Sequence, residues 1–131
     1  LLGALGLECK GEVGRYDAYI EYGTHIIPAE IKSFTETSTY NMKGARQALE
    51  NKICSYRDES DLEYASLLIG YSHPSSTSEI QDFIDSSFEE WNIKIIAFDL
   101  KTIIEMCVRT IWDKQIIDFE NLFKNYGIAE A

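Results

Sequence analysis

Histidine is scarce in this chain of 131 residues: only His25 and His73 occur. That excludes a His-Asn-His nuclease centre and a typical zinc hydrolase, both of which gather more imidazoles. Cysteine is hardly commoner. Cys9, Cys54 and Cys107 are odd in number and far apart, so they form neither a zinc knuckle nor a CxxC redox pair, and they suit a reducing cytoplasm with ordinary buried thiols. Long apolar runs are missing; stretches such as Ala65 to Tyr71 are short and interrupted, so no membrane partner is expected. Leu1 to Leu7 lacks the basic start of a signal peptide and reads as a helix already under way. No glycine-rich phosphate loop is present either, because Gly3 to Gly6 and Gly11 to Gly14 lack a strand-to-helix context. Basic residues are also in short supply. Lys and Arg number 12 against 22 Asp and Glu, a net charge of −10, which is the wrong sign for holding a polyanion unaided.

What is present suffices for one compact domain over 1–131, since 45% of the residues are apolar. Arg15 to Tyr22 and His25 to Lys32 are rich in aromatic and β-branched residues and read as strands, joined by Gly23-Thr24. A two-residue turn opening on glycine suits type II′ and pairs Tyr22 with His25. Asn41 caps a helix with Met42, Ala45, Leu49, Ile53 and Tyr56 at helical spacing, ending near Arg57. Ala65 to Tyr71 is a third strand, a helix carrying Ile80, Phe83, Ile84 and Phe88 follows, and Ile93 to Phe98 is a fourth strand. Asp99 and Asp118 cap two further helices, the last ending before Gly127. Trp91, Trp112 and Tyr126 occupy positions where core packing is the default. The order predicts an α/β fold, a mixed β-sheet starting with a hairpin and flanked by helices on both faces.

The hairpin register carries chemistry. Counted outward from Tyr22 and His25, Asp17 falls opposite Glu30, with Lys32 on the same face and Ala18, Ile20, Ile27, Ala29 and Ile31 on the other. Two facing carboxylates repel unless a proton or a divalent cation lies between them. Magnesium suits the pair, taking carboxylate oxygens, waters, phosphate oxygens and here also the Ile31 carbonyl. Lys32 then supplies a cation beside the reacting phosphate. Charged residues on a strand face are more often a solvated side, and Pro28 points to a bulge that would shift the pairing by one. Lys43, Arg46 and Lys52 on the next helix either touch phosphates or form a solvated face, and Gln47 reads as an ordinary surface residue ahead of a polar residue near the catalytic face.

Asp17 followed by Glu30-Ile31-Lys32 resembles the PD-(D/E)xK nuclease superfamily, and the element order resembles its core. Tyr40 to Ala48, with Ile93 to Ile104, looks more narrowly like the cleavage domain of FokI-type IIS restriction endonucleases. The chain departs from that pattern at Tyr16, where the superfamily often has proline. Members often carry a glutamate on a first helix, a role open here to Glu8 or to a residue before Leu1. The resemblance implies a restriction-endonuclease-like core and magnesium-dependent hydrolysis of double-stranded DNA, with Asp17, Glu30 and Lys32 catalytic and Asp17, Glu30 and Ile31 on the metal. It also implies a larger DNA-recognition subunit or a second nuclease domain as partner, which accounts for the acidic charge. The alternative is a catalytically silent domain that keeps this fold to dock another protein.

Overall fold

The computed structural model describes the backbone of residues 8–13, 16–32 and 39–129, with side chains from residue 18 onward in those spans. The helix read over Leu1 to Leu7 lies outside the described residues. In chain order the elements are β1 (Glu8–Val13), β2 (Tyr16–Tyr22), β3 (His25–Ile31), α1 (Met42–Ser55), β4 (Ser66–Gly70), α2 (Ser78–Trp91), β5 (Ile95–Asp99), α3 (Leu100–Ile111), α4 (Phe119–Phe123) and β6 (Gly127–Ile128). The strands form a mixed α/β sheet in the order β1-β2-β3-β4-β5-β6, antiparallel from β1 to β3 and parallel from β3 to β6. Glu8 opens a strand, so it cannot sit on a first helix. The expected hairpin is a three-stranded meander because Glu8–Val13 pairs along β2, with Cys9 opposite Ile20.

The β2–β3 register is the expected one. Tyr22 pairs with His25, and the pairing runs unshifted to Ala18 opposite Ala29. Gly23 has φ +61° while Thr24 avoids the left-handed region, as a type II′ turn requires. Pro28 introduces no bulge. It stands opposite Tyr19, at a position where neither residue bonds the other strand, so its missing N–H points away from β2. The β3–β4 ladder begins one residue later, at Ala29 opposite Leu67.

Each face of the sheet has its own core. Ile20, Ile27, Ala29, Leu67, Ile69, Ile96 and Phe98 pack with Ile103, Cys107 and Phe123 of α3 and α4. On the other face Leu68, Ile95 and Ala97 meet Ala45 and Ala48 of α1 and Ile80 and Ile84 of α2. β4 is buried throughout, as a parallel strand covered on both sides must be. Asn41, Asp99 and Asp118 cap their helices as expected, accepting from the N–H groups of Gly44, Thr102 and Asn121.

The buried face of α1 is not the apolar stripe of the sequence. Ala45, Ala48, Asn51 and Lys52 face inward, while Ile53 and Tyr56 are exposed. Small residues decide this. A Cβ at Gly44 would stand 3.0 Å from Leu68 Cδ1, so the helix lies close against β4 on its glycine and alanines. Its far end is held by Asp61, which hydrogen-bonds His25 Nδ1 at 2.7 Å and accepts from the Arg57 backbone N–H at 2.8 Å. Cys107 is buried as expected, but Cys54 is exposed. Trp91, Trp112 and Tyr126 are exposed too, lying on helix ends and outer surfaces rather than in the core.

Lys52 is the charged group this packing isolates. It is 1% exposed, and among the described residues no carboxylate lies within ion-pair distance of its ammonium. It is therefore neither a phosphate contact nor part of a solvated face. Burial pulls its pKa down to about 8, with the Asp61 charge opposing. The unfolded chain keeps that proton up to about 10.5, so stability rises with pH between the two values. Lys52→Met is expected to stabilise the fold by about 1–3 kcal/mol at pH 7 and to abolish the gain between pH 8 and 10.5, measured by thermal denaturation across that range.

Candidate active site

A cleft of about 220 Å³ opens where β3 ends and α1 begins, lined by Glu30, Ile31, Lys32, Tyr40, Lys43 and Gln47 among others. It lies at the carboxyl end of parallel strands, where open α/β sheets bind ligands. Strand pairing fixes its floor. Glu30 pairs with Leu68 of β4 and Ile31 with Ile69, and the Lys32 N–H extends the ladder by donating to the Ile69 carbonyl at 2.8 Å. Glu30 and Lys32 are thus anchored by backbone bonds rather than by a loop.

Of the predicted site residues, the structure brings Glu30, Ile31 and Lys32 to one cleft. Asp17 lies on β2 one residue beyond Ala18, the last described partner of β3, just as Glu30 lies one beyond Ala29. The Asp17 side chain is outside the described residues. Lys43 stands on the cleft wall and Arg46 is exposed on the outer surface of α1.

Two residues of α1 build a polar chain behind Glu30. Gln47 Nε2 donates to Asn51 Oδ1 at 2.9 Å, and Asn51 Nδ2 donates to Glu30 Oε2 at 3.4 Å. Asn51 is fully buried, so its amide serves the carboxylate and not water. Gln47, for which a place near the catalytic face was the second of two readings, is a cleft residue and the outer link of this chain. Asn51 was missed altogether. Its signal was an amide three residues after Ala48 on the helix side that faces the sheet, visible once the small residues are recognised as the contact.

The remaining wall is Tyr40, buried at 1% exposure. Its backbone crosses Gly70 so closely that a Cβ there would stand 2.8 Å from Tyr40 N. Its hydroxyl bonds His73 Nδ1 at 2.5 Å, and His73 Nε2 lies 3.1 Å from the Ala129 carbonyl and 3.7 Å from Asp99 Oδ2. Burial, with the Asp99 charge adding to it, pushes the Tyr40 phenol above its ordinary range, so it stays protonated. Burial would raise the Asp99 carboxyl, but the Thr102 hydrogen bonds and the His73 charge together hold it low. His73 thereby ties the ends of β4, β5 and β6 to the cleft wall, a structural role like that of His25 beside Asp61.

The donor set suits a hard cation. Glu30 and Ile31 both line the cleft, and a carboxylate with a backbone carbonyl is the kind of oxygen set such an ion takes, whereas no three carboxylate, imidazole or thiol side chains gather among the described residues. Magnesium needs only one or two carboxylates, completed by waters and substrate oxygens.

Asn51→Asp would set a second carboxylate against Glu30. It is expected to destabilise the protein by about 1–3 kcal/mol at pH 7, and by much less near pH 4 where one of the pair takes up a proton. Thermal denaturation at the two pH values checks this; an equal loss at both would mean that Asn51 only fills space. Compared with known proteins, the chain matches no protein-family model, no curated protein and no solved structure.

Proposed function

We propose that the chain is a magnesium-dependent DNA endonuclease, a cleavage domain or small catalytic subunit of the type IIS restriction kind, with a restriction-endonuclease-like core. The observation that carries the reading is the juxtaposition of Glu30 and Lys32, two residues apart at the end of β3, in a cleft at the carboxyl edge of the parallel strands. The unshifted β2–β3 register supports it. Carried one step past Ala18 and Ala29, that register sets Asp17 across from Glu30.

Asp17, Glu30 and the Ile31 carbonyl would hold the ion. Bound magnesium supplies Lewis-acid polarisation of the phosphodiester and a more acidic water. The chain's own groups do the rest. Asn51 and Gln47 fix the orientation of the Glu30 carboxylate. Lys32 places its ammonium where negative charge grows on the phosphate oxygens, or orients the attacking water. Lys43, on the cleft wall, is placed to meet a neighbouring phosphate.

The charge of −10 sets the setting of this activity. An acidic domain gains no counterion-release affinity for DNA, so a larger recognition subunit or a linked domain must bring the duplex to the cleft. A single cleft cuts one strand, and a double-strand break needs a second nuclease site. A cytoplasmic restriction system meets both conditions.

Glu30→Ala and Lys32→Ala are each expected to lower magnesium-dependent nicking of plasmid DNA by at least about a thousandfold with the circular dichroism spectrum unchanged. Undiminished nicking by Lys32→Ala would overturn the mechanism. A wild type that neither cuts nor binds magnesium would favour the silent docking domain.

A further inference from the structure

A second cavity, of about 300 Å³, lies between α3, the segment 115–117 that follows it and α4. It opens on the face of the sheet that carries Phe98, opposite the face whose Leu68 lines the cleft. Phe98, Met106, Ile117 and Leu122 give it an apolar lining, all of them buried or half-buried. Its polar side is Glu105, half-buried, and Arg109, exposed. Backbone bonds hold the walls in place. The Gln115 N–H donates to the Arg109 carbonyl at 3.0 Å, which turns the chain back along α3, and the Ala129 N–H donates to the Ala97 carbonyl at 2.8 Å beside Phe98. The space is therefore part of the fold, and its volume is that of a site for a small molecule.

The two charges stand four residues apart on α3 with the glutamate first, the spacing and order that favour an ion pair along a helix. Glu120 and Lys124 stand in the same relation and do close, at 3.0 Å. Glu105 and Arg109 do not: among the described residues neither takes part in an ion pair. Each leaves its charge at the cavity for another partner. We propose that the cavity binds a free α-amino acid with a large apolar side chain, its carboxylate on Arg109, its ammonium on Glu105 and its side chain among Phe98, Met106, Ile117 and Leu122.

Each part of such a molecule has a counterpart. The planar guanidinium fork takes a carboxylate through two parallel hydrogen bonds, and a carboxylate accepts readily from an ammonium. The Cβ atoms of residues four apart on a helix are about 5–6 Å from each other, so one small molecule spans both charges. The apolar lining removes the ligand's side chain from water. Charge then selects the zwitterion over simpler ligands. A chain of net charge −10 repels a plain carboxylic acid, and Arg109 repels a plain amine brought to Glu105. A molecule carrying both charges meets neither penalty. The cavity shares no lining residue with the cleft at Glu30, so the inference does not rest on the nuclease reading.

Calorimetric titration of the chain, without magnesium, with L-leucine, L-methionine and L-phenylalanine in turn tests the inference. At least one is expected to bind at one site per chain with Kd below about 1 mM. Arg109→Ala and Glu105→Ala are each expected to weaken that binding at least about tenfold with the circular dichroism spectrum unchanged. The matching amine without the carboxylate, and the matching acid without the ammonium, are expected to bind at least about tenfold more weakly than the amino acid. Absence of binding by all three amino acids at about 10 mM would overturn the inference. So would binding indifferent to both substitutions, or an amine or acid that binds as tightly as its parent amino acid.

Discussion

The contact on which the rest of the molecule depends is the close seating of α1 on β3 and β4. Gly44, Ala45 and Ala48 let the helix backbone approach Leu68, and at the far end Asp61 locks it to the β2–β3 turn. Burial alone would raise the Asp61 carboxyl. The Arg57 backbone N–H, His25 and the Arg57 guanidinium outweigh that and hold it below the ordinary carboxylate range. Arg57 also donates through Nη2 to the Thr24 carbonyl, so the turn, the helix end and the 3-10 segment Asp61–Glu63 form one unit. With both ends of α1 fixed, the lateral position of Asn51, and hence of the Glu30 carboxylate, is set by packing.

The cleft follows from that seating. α1 starts beyond the end of β3, so Lys32, Tyr40 and Lys43 converge around Glu30, and Gly70 admits Tyr40 where any side chain would collide with its backbone. A buried amide chain on one side and a buried phenol on the other hold the walls still. Rigidity of this kind matters for a hydrolytic centre, because electrostatic stabilisation is largest where the groups need not reorganise. Lys52 is the destabilising element in the same layer, a charge buried among the residues that seat the helix.

Much of this was legible beforehand, for definite reasons. Gly23-Thr24 specifies one turn type, the turn specifies the register, and the register aligns Ile20 with Ile27 and Ala18 with Ala29, one step short of Asp17 and Glu30. Asn41, Asp99 and Asp118 were readable as caps because a side-chain oxygen before an apolar periodic run has few other uses. Two strands were not readable. Glu8–Val13 carries two glutamates, a lysine and a glycine, and becomes a strand through its pairing with β2. Gly127–Ile128 is too short to show any period. The face of α1 was misread because apolarity pointed to Ile53 and Tyr56 while close packing selected the small residues, carrying Asn51 and Lys52 inward with them. The polar chain behind Glu30 was hidden for the same reason.

The central claim is that the end of β3 and its neighbour on β2 form a magnesium site. Calorimetric titration of magnesium into the wild type and Asp17→Ala, with circular dichroism confirming that both are folded, tests it most directly. The account predicts one binding event in the wild type and its loss in Asp17→Ala. Equal binding by the two proteins would contradict it, because the ion would then lie elsewhere than between Asp17 and Glu30.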